Sequence, residues 1–529
     1  MLLVADYAET RTGLPAMLTA AAAPGGPVVR VLLLARSAGE WWQQLQRSCP
    51  EQVSDLLPGA PVTLGPVAAP ASQGEVFAEA LTTFAALRGI PCPDARLRPG
   101  DADAVVLVVH AAALLAVLDA EDAAAGRTDP AGSSDEAGGD ALDRLLQHEH
   151  RYWQASLAGW GAVSLDPDVM DRAVTAGCLI GAADQAAAMR LLAVIEDLSD
   201  GQLRGKVARW LHDLYPPPRG GEEWIGQLQP DLITEQLVVS VLNRHRELIP
   251  ALFAGLDEVR ARRALTILAR AALTQPAALD QARDALAANP AHLLIPAVAV
   301  TTETNPALAA AITDAAAALD TAALIPLAEA IPYPTVPLAA VYAAVTRQIT
   351  ATLPPAADPV ERAGWLHALG VALSQLGRPA EALPVTEEAV AIRRELAAAS
   401  PDRYRSALAE SLSNLGVRFS ALGRPADALP AEQEAVAIRR ELAAASPDRY
   451  RPDLAASLSN LGIWLSELGR PADALPVTEE AVTTYRELAA ASPDRYRPDL
   501  AVSLSTLARI LVSLGRTADA EKIRRDAAS

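Results

Sequence analysis

The chain has 529 residues, 51% of them hydrophobic and 4% aromatic, with 40 Pro, 31 Gly and 3 Cys. At roughly 150 residues per domain this length predicts three or four domains, and the apolar content excludes disorder as the main state. The formal charge of −19 is uneven: residues 1–360 carry 24 Lys+Arg against 41 Asp+Glu, and 361–529 carry 21 against 23. An acidic body repels phosphate backbones, so no nucleic-acid partner is expected. Cys49, Cys92 and Cys178 form no C-x-x-C pair, which argues against a disulfide framework and a zinc site and for a cytoplasmic protein.

In chain order, LLVA at 2–5 is a short apolar run that ends before Asp6, AMLTAAAA suits a helix, and PVVRVLLLAR is a second apolar run ending at Arg36. Strand, helix, strand is the reading, and a crossover of that length makes the strands parallel. Asp6 and Arg36 would then both emerge at the carboxyl edge, where open α/β sheets bind ligands. VTLGPV at 62–67 is a candidate third strand. The longest apolar run, 104–118, is interrupted by His110 and too short to span a bilayer, and Met1 is followed by no basic segment. Neither a membrane partner nor a signal peptide is expected.

The small, polar and acidic stretch around TDPAGSSDEAGGD marks a linker at 126–140, with helical signals resuming at Ala141. His148 and His150 lie two apart, so on a helix they face different ways and do not suit one metal. Tyr152, Trp153 and Trp160 are expected in the core of the helical region 141–250. Residues 251–355 are Ala-rich and broken by Pro at irregular spacing, a degenerate helical region. The sequence holds no G-x-S-x-G, no H-E-x-x-H and no G-x-G-x-x-G after a strand, so no catalytic or metal residues are expected there.

Residues 356–529 repeat. SQLGRPAEAL, SALGRPADAL, SELGRPADAL and VSLGRTADAE place Gly377, Gly423, Gly469 and Gly515 at 46-residue intervals. Each glycine ends a first helix, and Pro379, Pro425 and Pro471 open a second. Small residues recur where two antiparallel helices must touch: Gly370, Ala382 and Ala389, then Gly416, Ala428 and Ala435, then Gly462, Ala474 and Ala481. This pattern resembles the tetratricopeptide repeat, with 12 residues beyond the common 34 placed in the tail RELAAASPDRYRPDLA, where a longer second helix and a more elaborate loop are expected. Such stacks leave a groove lined by first helices, suited to a protein or peptide ligand. Asn414 and Asn460, equivalent in SLSNLG, can pair with the main chain of an extended ligand or bond within the array. Val371, Val417 and Ile463 stand where carboxylate-clamping arrays carry Asn, which disfavours that mode.

LLVADYAETR and VRVLLLARSAGEWW, with QGEVFAEALTTFAAL, HEHRYWQASLAGW, WLHDLYPP and LQPDLITEQLVVSVL, resemble signal-transducing P-loop NTPases of the STAND class that end in tetratricopeptide repeats. The resemblance implies a partial α/β NTPase-like domain over 1–125, from Walker B onward, and a winged-helix-like part within 141–250. Asp6 would hold Mg²⁺, Glu9 would polarise the attacking water and Arg36 would sense the γ-phosphate. No G-x-x-x-x-G-K-[ST] occurs, and the two lysines, Lys206 and Lys522, follow no glycine-rich loop. The expectation is a mainly α protein, a truncated NTPase-like fragment joined to an α-solenoid. It would act as a signalling scaffold, without a cofactor or ATPase activity of its own and with homo-oligomerisation left open. The alternative is an ATP- or ADP-binding STAND switch, a class the resemblance ties to signalling or defence, whose phosphate loop lies in an N-terminal extension.

Overall fold

The computed structural model describes residues 2–5, 14–22, 30–33, 42, 45–46, 49–50, 53, 57, 70–97, 106–124, 141–158, 165–217, 223–332, 335–354 and 356–528. They fall into two compact units, 1–319 with 330–338, and 320–329 with 339–529. Asp6, Glu9, Arg36, Trp160, the 62–67 segment and the linker 126–140 lie outside the described residues.

The first unit begins with β1 (Leu2–Ala5), α1 (Leu14–Ala21) and β2 (Arg30–Leu33). The strands pair in parallel from Leu2 opposite Arg30 to Ala5 opposite Leu33, the direction a helical crossover imposes. Leu14 and Leu18, four apart on α1, are buried with Trp42, Leu45, Cys49 and Val53. The helices α2 (Pro70–Arg88) and α3 (Val106–Ala124) pack through Phe77, Leu81 and Ala85 against Val109, Ala113 and Val117. Both sets recur at helical spacing. No described helix is long and apolar enough to cross a membrane.

From 141 to 250 the described elements are helices: α4 (Ala141–Ala158), α5 (Pro167–Ile180), α6 (Gln185–Leu192), α7 (Gly201–Leu214), α8 (Asp231–Arg244) and the start of α9 (Leu248–Leu252). Among the described residues of this span there is no strand. Asp166, Asp184 and Asp200 accept main-chain N–H bonds at the starts of α5, α6 and α7, satisfying donors that a helix start leaves open. Trp153 and Trp210 are fully buried, and Trp153 Nε1 donates to Tyr215 Oη at 2.7 Å. Tyr152 corrects the expectation of a core residue: its side chain is 59% exposed, because the residue before Trp153 points off the buried stripe. His148 meets Asp119 of α3 at 3.0 Å and His150 meets Asp171 of α5 at 2.6 Å, so the two rings do diverge. The helices α10 (Glu258–Ala271), α11 (Pro276–Ala288), α12 (Pro290–Glu303) and α13 (Ala309–Ala316) complete the unit.

The second unit opens with α14 (Thr321–Ala330) and α15 (Ala339–Thr352), joined by a 2.7 Å bond between the hydroxyls of Thr321 and Thr352. Four hairpins follow. Their first helices are α16 (Pro359–Gln375), α18 (Pro401–Ala421), α20 (Pro447–Glu467) and α22 (Pro493–Ser513). Their second helices are α17 (Pro379–Ala399), α19 (Pro425–Ala445), α21 (Pro471–Ala491) and α23 (Thr517–Ala528). Gly377, Gly423, Gly469 and Gly515 take φ of 68°, 70°, 70° and 76°, the left-handed conformation that ends a helix at little cost only for glycine. Gly370 is needed for a different reason: a Cβ there would stand 2.6 Å from Thr386 Oγ1 of the partner helix.

The tail of the repeat corrects one expectation. The extra residues build no elaborate loop. A single residue, Ser400, separates α17 from α18, and both helices run for 21 residues. Pro401 restarts the helix at once, since a first-turn position needs no N–H, so the long period lengthens both helices of the hairpin.

Candidate partner-binding groove

Neighbouring first helices touch directly. Ser413 Oγ of α18 lies 3.0 Å from Ser457 Oγ of α20, and Ser459 Oγ of α20 lies 3.0 Å from Ser503 Oγ of α22. Successive second helices are bridged instead by long side chains, Arg394 to Glu434 and Arg440 to Glu480. Hydroxyl contact puts the first helices in the closer-packed layer, the inner one where a repeat stack curves.

Along that layer each repeat presents the same register positions. After the packing glycine come Val371, Val417 and Ile463; Val417 is 39% exposed and the other two are half-buried. Asn414 and Asn460 are half-buried at equivalent places on α18 and α20. Beside them lie charged groups that the repeat signature did not single out. Arg393, from α17, donates Nη1 to the carbonyl of Ala407 at 2.9 Å and to Ser411 Oγ at 2.7 Å. His367 Nε2 stands 3.5 Å, and Arg393 Nη1 3.6 Å, from Glu410. The hydrogen bond from His367 holds the Glu410 carboxyl below its usual range.

One repeat on, Arg439 from α19 donates Nη1 to Ser413 Oγ at 2.9 Å, to the carbonyl of Asp453 at 3.2 Å, and to Ser457 Oγ. Ser413 in turn donates to Glu432 Oε1 at 3.0 Å. Glu432 is completely buried, its Oε2 has no hydrogen-bond partner, and burial pushes its pKa up. A carboxyl taken out of water favours its neutral form. In the flanking repeats Thr386 and Thr478 hold this position and bond the carbonyls of Ala382 and Ala474 at 2.8 and 2.9 Å. Reading the repeats in register carries the signal: Arg393 and Arg439 against Tyr485, and Glu432 between two threonines. Asp6, Glu9 and Arg36 lie outside the described residues.

Residues 361–441 and 454–494 each match a family model described as tetratricopeptide repeat. The C-terminal part of the chain is therefore a tetratricopeptide array. No curated protein matches the chain. Among solved structures, similarity extends to a Podosopora anserina protein described as a kinesin light chain with nearly identical TPR-like repeats, at 21% identity over 36% of this chain and 85% of that one, TM-score 0.29. BtubC of P. vanneervenii is 15% identical over 51% of this chain and 87% of its own, TM-score 0.31. A signal transduction ATPase with numerous domains, with a tetratricopeptide repeat sensor, from Pyrococcus horikoshii is 12% identical over 95% of this chain and 74% of its own, TM-score 0.29. At scores this low they carry no functional argument, and function is argued from the chain's own residues.

Proposed function

We propose that the chain is a protein-interaction scaffold or sensor whose array holds an extended segment of a partner protein along its inner face. The observation that supports it is the inner row itself, where exposed Val417 and half-buried Asn414 and Asn460 stand in register on consecutive first helices. An apolar stripe supplies contact area, and side-chain amides can bond a ligand's main chain. The test is affinity enrichment from source cells with the full chain and with Val417→Asp. The partner retained by the wild type is expected to be lost by the variant, and equal retention contradicts the reading.

A second reading, the STAND-type ATP or ADP switch, is favoured by one observation, the parallel strand–helix–strand of β1, α1 and β2. Asp6 would then hold Mg²⁺, with Glu9 and Arg36 beside the phosphates, once a phosphate loop is supplied. Calorimetry of the protein purified from its source cells, with ATP and ADP in the presence of Mg²⁺, tests it. Binding abolished by Asp6→Ala supports the switch, and no heat at millimolar nucleotide contradicts it.

A further inference from the structure

Arg393 and Arg439 occupy the same position in consecutive repeats and reach from the second helices into the crevices between first helices. Each spends one guanidinium nitrogen, Nη1, on carbonyl and serine oxygens, and Arg393 Nη1 also lies 3.5 Å from His367 Nδ1, which fixes the side chain. No nitrogen of either guanidinium is both buried and unbonded. The Arg393 side chain keeps 12% exposure and Arg439 is half-buried, and no bond from Nε or Nη2 of either is found among the described residues. Two anchored arginines with open donors form forks suited to carboxylates.

Neither fork is saturated from within. The carboxylate nearest Arg393 belongs to Glu410, 3.6 Å away, whose side chain is 55% exposed against 12% for Arg393 and which His367 also meets at 3.5 Å; an incoming carboxylate has to displace it. Burial pulls the Arg393 pKa below the ordinary arginine value, the mark of a cation that has lost water. Arg439 reaches Glu432 through the hydroxyls of Ser413 and Ser457, and burial pushes that carboxyl toward its neutral form. Asp453 gives Arg439 its main-chain carbonyl, and its side chain is exposed. In the next repeat Tyr485 takes the same place, and Arg347, 46 residues before Arg393, pairs with Glu381 at 2.9 Å, so Arg393 and Arg439 are the two such cations left for a ligand.

Packed helices lie about 8–10 Å apart and an extended chain advances about 3.3 Å per residue, so neighbouring crevices are about three residues apart along a ligand. Resting on the groove reading above, we propose that the array selects an acidic extended segment of its partner, seating two carboxylates about three residues apart on Arg393 and Arg439. Asn414 lies between these crevices, on α18, where its amide meets the intervening main chain.

The test is fluorescence anisotropy with the full chain and three labelled twelve-residue peptides that carry Glu, Gln or Lys at every third position in an Ala/Val background. The Glu peptide is expected to bind at least about tenfold more tightly than the Gln peptide. It should weaken by about tenfold in Arg393→Gln and in Arg439→Gln, and again between about 0.05 and about 0.5 M salt. The Arg393→Glu/Arg439→Glu double variant should come to prefer the Lys peptide, and circular dichroism verifies folding of each variant. Equal binding of Glu and Gln peptides, both lost in Val417→Asp, overturns the acidic preference while leaving the groove reading standing. Glu-peptide binding unchanged in both single arginine variants overturns the assignment of these residues. Failure of all three peptides to bind overturns the preference for this probe class, and retention of the cellular partner by Val417→Asp overturns the groove reading itself.

Discussion

The helical part of the first unit and the tetratricopeptide array are both built from helices of ordinary length, yet they are specified in opposite ways. In the first unit each contact is made once. Trp153 bonds Tyr215, Arg244 reaches Asp171 at 2.7 Å, and His245 reaches Asp168 at 2.7 Å, between residues more than 60 positions apart. In the array the same contact is written several times, 46 residues apart, so stability is spread over equivalent interfaces. A departure from the repeated pattern there is a place where something other than packing has been specified. Arg393 and Arg439 giving way to Tyr485, and Glu432 replacing threonine, are such departures.

That contrast can be broken most forcefully in the first unit. Trp153→Ala empties a fully buried site and is expected to destabilise by about 3–5 kcal/mol in urea unfolding followed by circular dichroism. A loss below about 1 kcal/mol would contradict its place in a unique core. In the array the corresponding test is steric. Gly462→Val drives a side chain into Thr478 of the partner helix and should cost about 1–3 kcal/mol, whereas Gly364→Ala, with nothing within 4 Å of its added carbon, should be neutral or gain up to about 1 kcal/mol. Equal effects at the two glycines would remove the distinction between interface and open positions.

Glu432→Gln is expected to stabilise the array at pH 7 by about 1–2 kcal/mol, because the cost of a buried, half-satisfied carboxyl is removed. Burial raises the pKa of Glu432 above the usual glutamate value. Its favourable contribution is therefore complete below that value and is lost as pH climbs through the raised one. The advantage of the variant should grow from pH 4 to pH 8, and thermal melts that run parallel across that range would contradict the burial argument. Arg394→Ala, which removes one outer ion pair whose side chains are 53% and 38% exposed, should cost at most about 1 kcal/mol and lose that effect in high salt.

The array was legible because its signals are local and repeated: glycine at a left-handed helix end, proline in the next first turn, and small residues at fixed separations. The parallel pairing of β1 and β2 was legible for a related reason, since a helix between two apolar runs dictates direction. The 12 extra residues misled because a Ser-Pro-Asp sequence reads equally as a loop or as a helix start, and only the chain's path distinguishes them. Tyr152 misled because it adjoins Trp153, and neighbouring helical residues differ by about 100° in direction. The guanidinium and carboxyl groups of the groove were missed because Arg393, Arg439 and Glu432 sit in second helices whose charged residues read as solvated faces. Their roles depend on which side of the helix meets the crevice.

The central claim is that the inner face, and not the outer one, receives the partner. A photocrosslinking amino acid placed at Val417, on the inner face of α18, or at Ala437, exposed on α19 between Glu434 and Arg440, compares the two faces in source cells. The account predicts a discrete crosslinked partner from position 417, absent from position 437 and abolished by adding the Glu-containing peptide in excess. Crosslinks confined to position 437 would contradict it.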